Sequence, residues 1–151
     1  MDGKKTLRMP ALILGYAGLI PQLVAVTLAW IGSEWGFVAM AGGFAYAALI
    51  FSFLGGVWWG QALSAGRMGA GAFVVSVLPS LIALMLFLPW TFGWKWPGPA
   101  LLCLGALIAV SPFVDRALGF ASPAFMRLRI HLSLGLGALT FALGLIAMDR
   151  V

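Results

Sequence analysis

A chain of 151 residues in which 63% are hydrophobic and 9% charged is excluded from the ordinary water-soluble domains, where about a quarter of positions carry charge. Nine basic and four acidic side chains cannot clothe a body this small, whose surface is large for its volume, so lipid must bathe most of it. The net charge of +5 would suit nucleic acid on a soluble face, but the basic residues lie beside apolar runs, where they meet lipid headgroups instead.

Five stretches reach or approach the roughly 20 apolar residues that a spanning helix needs. They are 11–31, 38–63, 72–90, 97–114 and 128–148. None alternates with the period of two that a barrel strand requires, and helices alone satisfy every backbone amide internally in an open chain. The expected fold is therefore all-α, one integral membrane domain over 1–151 built as a five-helix bundle. The first run follows Lys4, Lys5 and Arg8, as a signal peptide would. Its length, the Pro21-Gln22 interruption and the lack of a small-residue cleavage site make it a retained span. The fourth is the shortest and carries Ser111-Pro112 near its end; a re-entrant fourth segment would reduce the count to four.

Lysine and arginine set the orientation. With the N-terminus inside, the inner face holds Lys4, Lys5, Arg8, Arg67, Arg116, Arg127 and Arg129, and the outer face Lys95 and Arg150. Five crossings then put the C-terminus outside. Trp30, Trp35, Trp90, Trp94 and Trp96 gather at the predicted outer ends, as indole rings do at a headgroup layer.

Pro21 and Pro79 fall near the middle of spans one and three, where each removes a backbone donor and leaves the carbonyls of Ala17 and Val75 without their usual partners. Gln22, Ser76 and Ser80 are the polar side chains nearby, with Ser52 at similar depth in span two and Trp59 on nearly the same side as Ser52. Unpaired polar groups are costly in hydrocarbon, so this layer either repairs two kinks or lines a pocket for a small polar or amphipathic molecule. In the second span Ala48, Ser52, Gly56, Gly60 and Ser64 recur every fourth residue, and Gly56 and Gly60 are expected to let another helix approach closely. Arg127, Arg129 and His131 at the inner edge of span five are candidates for contact with an anionic lipid headgroup; topological anchoring is the plainer reading.

No catalytic constellation stands out. Glu34, Asp115, Arg116, Asp149 and Arg150 are expected at the membrane surfaces, so no acid or base joins the polar layer, which argues against proton coupling and against acid-base catalysis. Cys103 is the sole cysteine and His131 the sole histidine; no metal site or cofactor is expected.

The runs Gly15 to Pro21, Ser52 to Gly60 and Ser76 to Ser80, with Asp115 and the Arg127-Leu128-Arg129 triplet, are in order and content similar to the domain-of-unknown-function family 3429. That family takes in bacterial inner-membrane proteins and the mitochondrial transmembrane protein 69. The resemblance covers nearly the whole chain and implies an inner-membrane location, but no activity. It also marks three departures: Trp58 stands where relatives often have histidine, Leu84 where they have tryptophan, and Ala124-Phe125 where they have an aromatic pair. The sequence thus leads to an interaction, assembly or lipid-binding role, with an anionic phospholipid or another membrane protein as partner. The alternative is a small transporter or channel through the layer around Gln22.

Overall fold

The computed structural model describes residues 9–32, 34–66, 69–119 and 122–150. Among them it holds six α-helices and no strand: α1 (Met9–Ala17), α2 (Ile20–Ile31), α3 (Gly36–Ser64), α4 (Ala70–Thr91), α5 (Gly98–Leu118) and α6 (Pro123–Arg150). Because α1 and α2 make one apolar stretch, Met9–Ile31, the described residues hold five helical segments long and apolar enough to cross a membrane. This is an all-α, multi-pass membrane protein. Lys4, Lys5, Arg8 and Arg67 lie outside the described residues. The two ends of the bundle are named here by what they display: a basic end with Arg116, Arg127 and the α5–α6 turn, and a tryptophan end with Trp30, Trp35, Trp90 and Trp94.

Pro21 does not kink a continuous first helix. The helix stops at Ala17, and Pro21 sits in the first turn of α2, where its missing N–H has no partner to lose. Tight bonds close the break, from Gly18 N to Leu14 O at 3.1 Å and from Leu19 N to Tyr16 O at 3.0 Å. The Tyr46 hydroxyl of α3 donates to the Gly18 carbonyl.

Pro112 is carried inside a helix of 21 residues that runs on to Leu118, past the predicted end at 114, so the fourth span is full length. A proline ring deprives the carbonyl four residues back of its donor, and that carbonyl, of Ile108, accepts the Ser111 hydroxyl at 2.8 Å. Gly119 then stops the helix in the left-handed conformation, φ +70°, with its N–H bonded to Asp115 O at 3.1 Å. Only a few residues later Ser122 accepts the Phe125 N–H at 3.3 Å and Pro123 begins α6, the pairing of polar cap and first-turn proline that starts helices. Helix therefore occupies most of the stretch from Asp115 to Arg127, with α5 ending at Leu118 and α6 beginning at Pro123.

The closest packing is between α5 and α6. A Cβ on Gly105 would lie 2.7 Å from the Phe141 nitrogen and 2.8 Å from the Gly137 carbonyl, and one on Gly144 would lie 2.8 Å from the Leu102 nitrogen. Backbones in contact gain dispersion, a main source of helix association in lipid. On α3 the close approaches are at Gly43, where a Cβ would strike Leu143, and Gly55, where it would strike the Ser76 carbonyl. Gly56 and Gly60, expected to fill that role, are exposed with nothing within 4 Å of a built Cβ. Gly55, which meets α4, lies one position from Gly56, about 100° of helix rotation away.

Leu101, Leu104, Ile108 and Leu143 form the centre, with Phe44, Phe51 and Leu54 of α3 against them. At the tryptophan end, Trp30, Trp35, Trp90 and Trp94 are exposed, but Trp96 is buried. It packs edge-on to Phe44 at 5.1 Å and stacks with Trp90 at 5.5 Å. Arg150 closes the same end by donating to the Trp30 carbonyl at 2.9 Å.

Candidate functional site

The polar residues that the helices bring together are not the ones the proline pattern singled out. Asp115 of α5 is 2% exposed and Arg129 of α6 8% exposed, and they form an ion pair at 2.8 Å between Arg129 Nη2 and Asp115 Oδ2. Arg129 Nε donates to the same oxygen at 3.1 Å. The other carboxylate oxygen, Oδ1, accepts the Trp58 indole N–H at 2.8 Å. Ser111 and Ser133 complete the cluster with hydroxyls 3.2 Å apart, and Arg129 Nη2 reaches Ser111 Oγ at 3.5 Å. Three helices, α3, α5 and α6, thus share one buried carboxylate.

Helix spacing places the members. Ser111 and Asp115 are four residues apart on α5, Arg129 and Ser133 four apart on α6, so each pair lies on one helix face. The surface charge expected at Asp115 and Arg129 is at the expected end of the bundle, but turned inward. Isolated charges in so dry a setting would be prohibitive, and pairing with full hydrogen bonding is what makes them tolerable.

Beside this cluster runs a groove of about 650 Å³, of the size that small-molecule sites have. Gly15 and Leu19, Tyr46 and Val57, and Leu128, Arg129 and Leu136 are among its lining residues. Its walls are apolar apart from Tyr46, Gln61, Arg129 and Ser133. It opens sideways, because the rim residues Leu14 and Phe53 are 72% and 65% exposed. One helical turn beyond its deepest lining residues, Leu19, Tyr46 and Leu136, the helices pack closely. There the fully buried Gln22 donates through Nε2 to Thr140 Oγ1 at 3.0 Å, Thr140 donates to the Leu136 carbonyl at 2.7 Å, and Gly43 packs against Leu143 and Ala25. Gln22 Oε1 has no partner among the described residues.

Other candidate residues lie apart. Gln22 pairs across to α6 and not with the serines. The Ser76 hydroxyl bonds its own helix at Ala72 O, 2.7 Å, beneath the Pro79 kink packed on Gly55; Ser80 is exposed and Ser52 half-buried. They do not converge on one pocket. Trp59, expected on the inside, is 42% exposed and packs edge-on to Phe73 at 4.7 Å, while its neighbour Trp58 is the buried one. Arg127 and His131 are exposed, His131 Nδ1 lying 3.0 Å from the Tyr16 hydroxyl, but Arg129 is turned away from them into the bundle. The spacing of Ser111, Asp115, Arg129 and Ser133 was a usable signal. The apolar run that ends at 114 hides it, because Asp115 then falls outside the span whose helix carries it.

The model of DUF3429, a family of proteins of unknown function, matches residues 7–146. The chain belongs to this family. No curated protein and no solved structure matches it. Every residue of the ion-pair cluster lies within the stretch shared with DUF3429, and so do the groove and the close packing beyond it. Trp58, a departure from the histidine that the resemblance led us to expect, still presents a ring N–H, here directed at Asp115.

Proposed function

We propose that this DUF3429 protein binds lipid: it sits in the bacterial inner membrane with its basic end on the cytoplasmic side and holds an amphiphile in the groove between α1–α2, α3 and α6. The observation that carries this reading is the groove itself. It is apolar and open to the side, so that in a bilayer its contents come from the hydrocarbon and not from water. A blind roof of Gln22, Thr140 and Gly43 favours holding a molecule over passing it through, and the buried charges are engaged with one another in a way that favours binding over catalysis. The basic end suits the cytoplasmic leaflet because arginine and lysine are retained there.

The test is the mass of the protein released in gentle detergent. The wild type is expected to carry lipid into the gas phase, and Val57→Trp, which fills the groove from α3, to carry much less while keeping its helix content and unfolding temperature. A wild-type protein free of lipid, or the same lipid load in Val57→Trp, would remove the groove from consideration.

A further inference from the structure

Arg129 is placed to do more than satisfy Asp115. Its guanidinium offers five N–H donors in a rigid fork, and the Asp115 carboxylate takes the edge formed by Nε and Nη2. Nη1 on the opposite side makes no hydrogen bond with the described residues, yet it is not among the atoms sealed from access. Arg129 lines the groove and Asp115 does not, so the guanidinium stands between carboxylate and groove with a donor left for whatever fills it.

Charge and depth narrow the identity of the acceptor. The ion pair is neutral as a whole, so a fully anionic group entering from the groove would add an uncompensated charge to a dry site, at a heavy desolvation cost. An uncharged oxygen would accept the same hydrogen bond without it. As to depth, α6 has 28 residues and is about 42 Å long, close to the ~40–45 Å of a bilayer with its headgroups. Arg129 lies about 9 Å from the start of α6, and Asp115 about 5 Å from the end of α5. The headgroup layer occupies roughly 5–7 Å on each side of the hydrocarbon. The donor is thus at the floor of that layer, where the uncharged ester linkages of a glycerolipid join its phosphate to its chains.

Length completes the match. From Gln61 to Tyr46 on α3 the groove extends about 22 Å, and from Phe125 to Leu136 on α6 about 16 Å, against roughly 15 Å for half the hydrocarbon thickness. It therefore follows one leaflet's depth and stops near the midplane.

We propose that the groove takes an acyl chain of a membrane glycerolipid from the leaflet at the basic end, and that the ester carbonyl of that chain accepts a hydrogen bond from Arg129 Nη1. Asp115 and Trp58 are positioning residues that hold the guanidinium's other edge. The proposal rests on the lipid-binding reading above and adds the group recognised.

The experiment varies the ligand, which leaves the fold untouched. Delipidated protein is offered pairs of phosphatidylglycerols with the same headgroup and chain length, one ester-linked and one ether-linked, and bound lipid is counted by native mass spectrometry. The ester lipid is expected to win by about tenfold, the worth of one hydrogen bond to a charged donor. The double variant Asp115→Asn/Arg129→Gln keeps the polar volume without the ion pair and is expected to bind both lipids equally. Equal binding of both lipids by the wild type would overturn the ester assignment while leaving lipid binding in place. A preference that survives in the folded double variant would overturn the role of Arg129. Failure to take up either lipid would overturn both readings together.

Discussion

Removing the Asp115 carboxylate would strand Arg129, a buried guanidinium with no counter-charge, and the loss of one partner from such a pair costs about 3–5 kcal/mol. Asp115→Ala is expected to lose that much in a denaturant titration in mild detergent. Trp58→Phe removes a single N–H donor from a charged acceptor and should lose about 1.5–3 kcal/mol. An apolar replacement of both charges, Asp115→Leu/Arg129→Met, is expected to be less damaging than Asp115→Ala, because neither charge is then left alone. If the double replacement proved as harmful as the sum of the two single ones, the two charges would be uncoupled, and the cost of Asp115→Ala would not come from stranding Arg129. Among single residues the sequence was legible where chemistry is local, as at Pro21, whose missing donor does mark a break. It was illegible where a partner is distant: Gln22 meets Thr140, 118 positions away, and no pattern near Gln22 reveals this.

Which face a glycine occupies decides what its replacement costs. Gly105 and Gly137 touch backbone to backbone, so Gly105→Leu or Gly137→Leu must force α5 and α6 apart and is expected to cost more than the ~1–3 kcal/mol typical of overpacking a core. Gly56→Ala and Gly60→Ala point into open space and should be neutral or stabilising by up to about 1 kcal/mol, the propensity gain of alanine over glycine in a helix. Unfolding midpoints of the four variants, measured side by side, check both statements. The existence of the five spans was readable because about 20 apolar residues in a row have few other solutions. The seam was harder. On α3 small residues recur every fourth position and drew attention, whereas the glycines that matter, Gly98 and Gly105 on α5 and Gly137 and Gly144 on α6, recur every seventh and become visible only when two helices are compared. The ends of α5 and α6 were misplaced for a related reason: Asp115, Arg127 and Arg129 look like the limits of apolar runs, although tertiary pairing keeps charged residues inside both helices.

For the molecule as a whole, five full crossings would place the two termini on opposite sides, and the proposed orientation, with the basic end cytoplasmic, would turn the tryptophan end outward. A reporter that works only outside the cytoplasm, fused after Val151, is expected to be active; an inactive reporter on a well-expressed fusion would reverse the orientation or change the number of spans. The two ends are also built differently. One is closed by rings, with Trp96 wedged against Phe44 and Trp90, and tied by Arg150 to the Trp30 carbonyl. The other leaves space beside α1, a helix with no buried residue of its own.

The ceiling formed by Gln22, Thr140 and the Gly43–Leu143 contact has a consequence for traffic. A guest held as proposed would enter from the flank and leave by the same route. Under the lipid-binding proposal, such an arrangement suits retention better than passage to the far side. On that proposal the protein would withdraw one molecule from the surrounding fluid, present it at a fixed height and orientation, and later give it back.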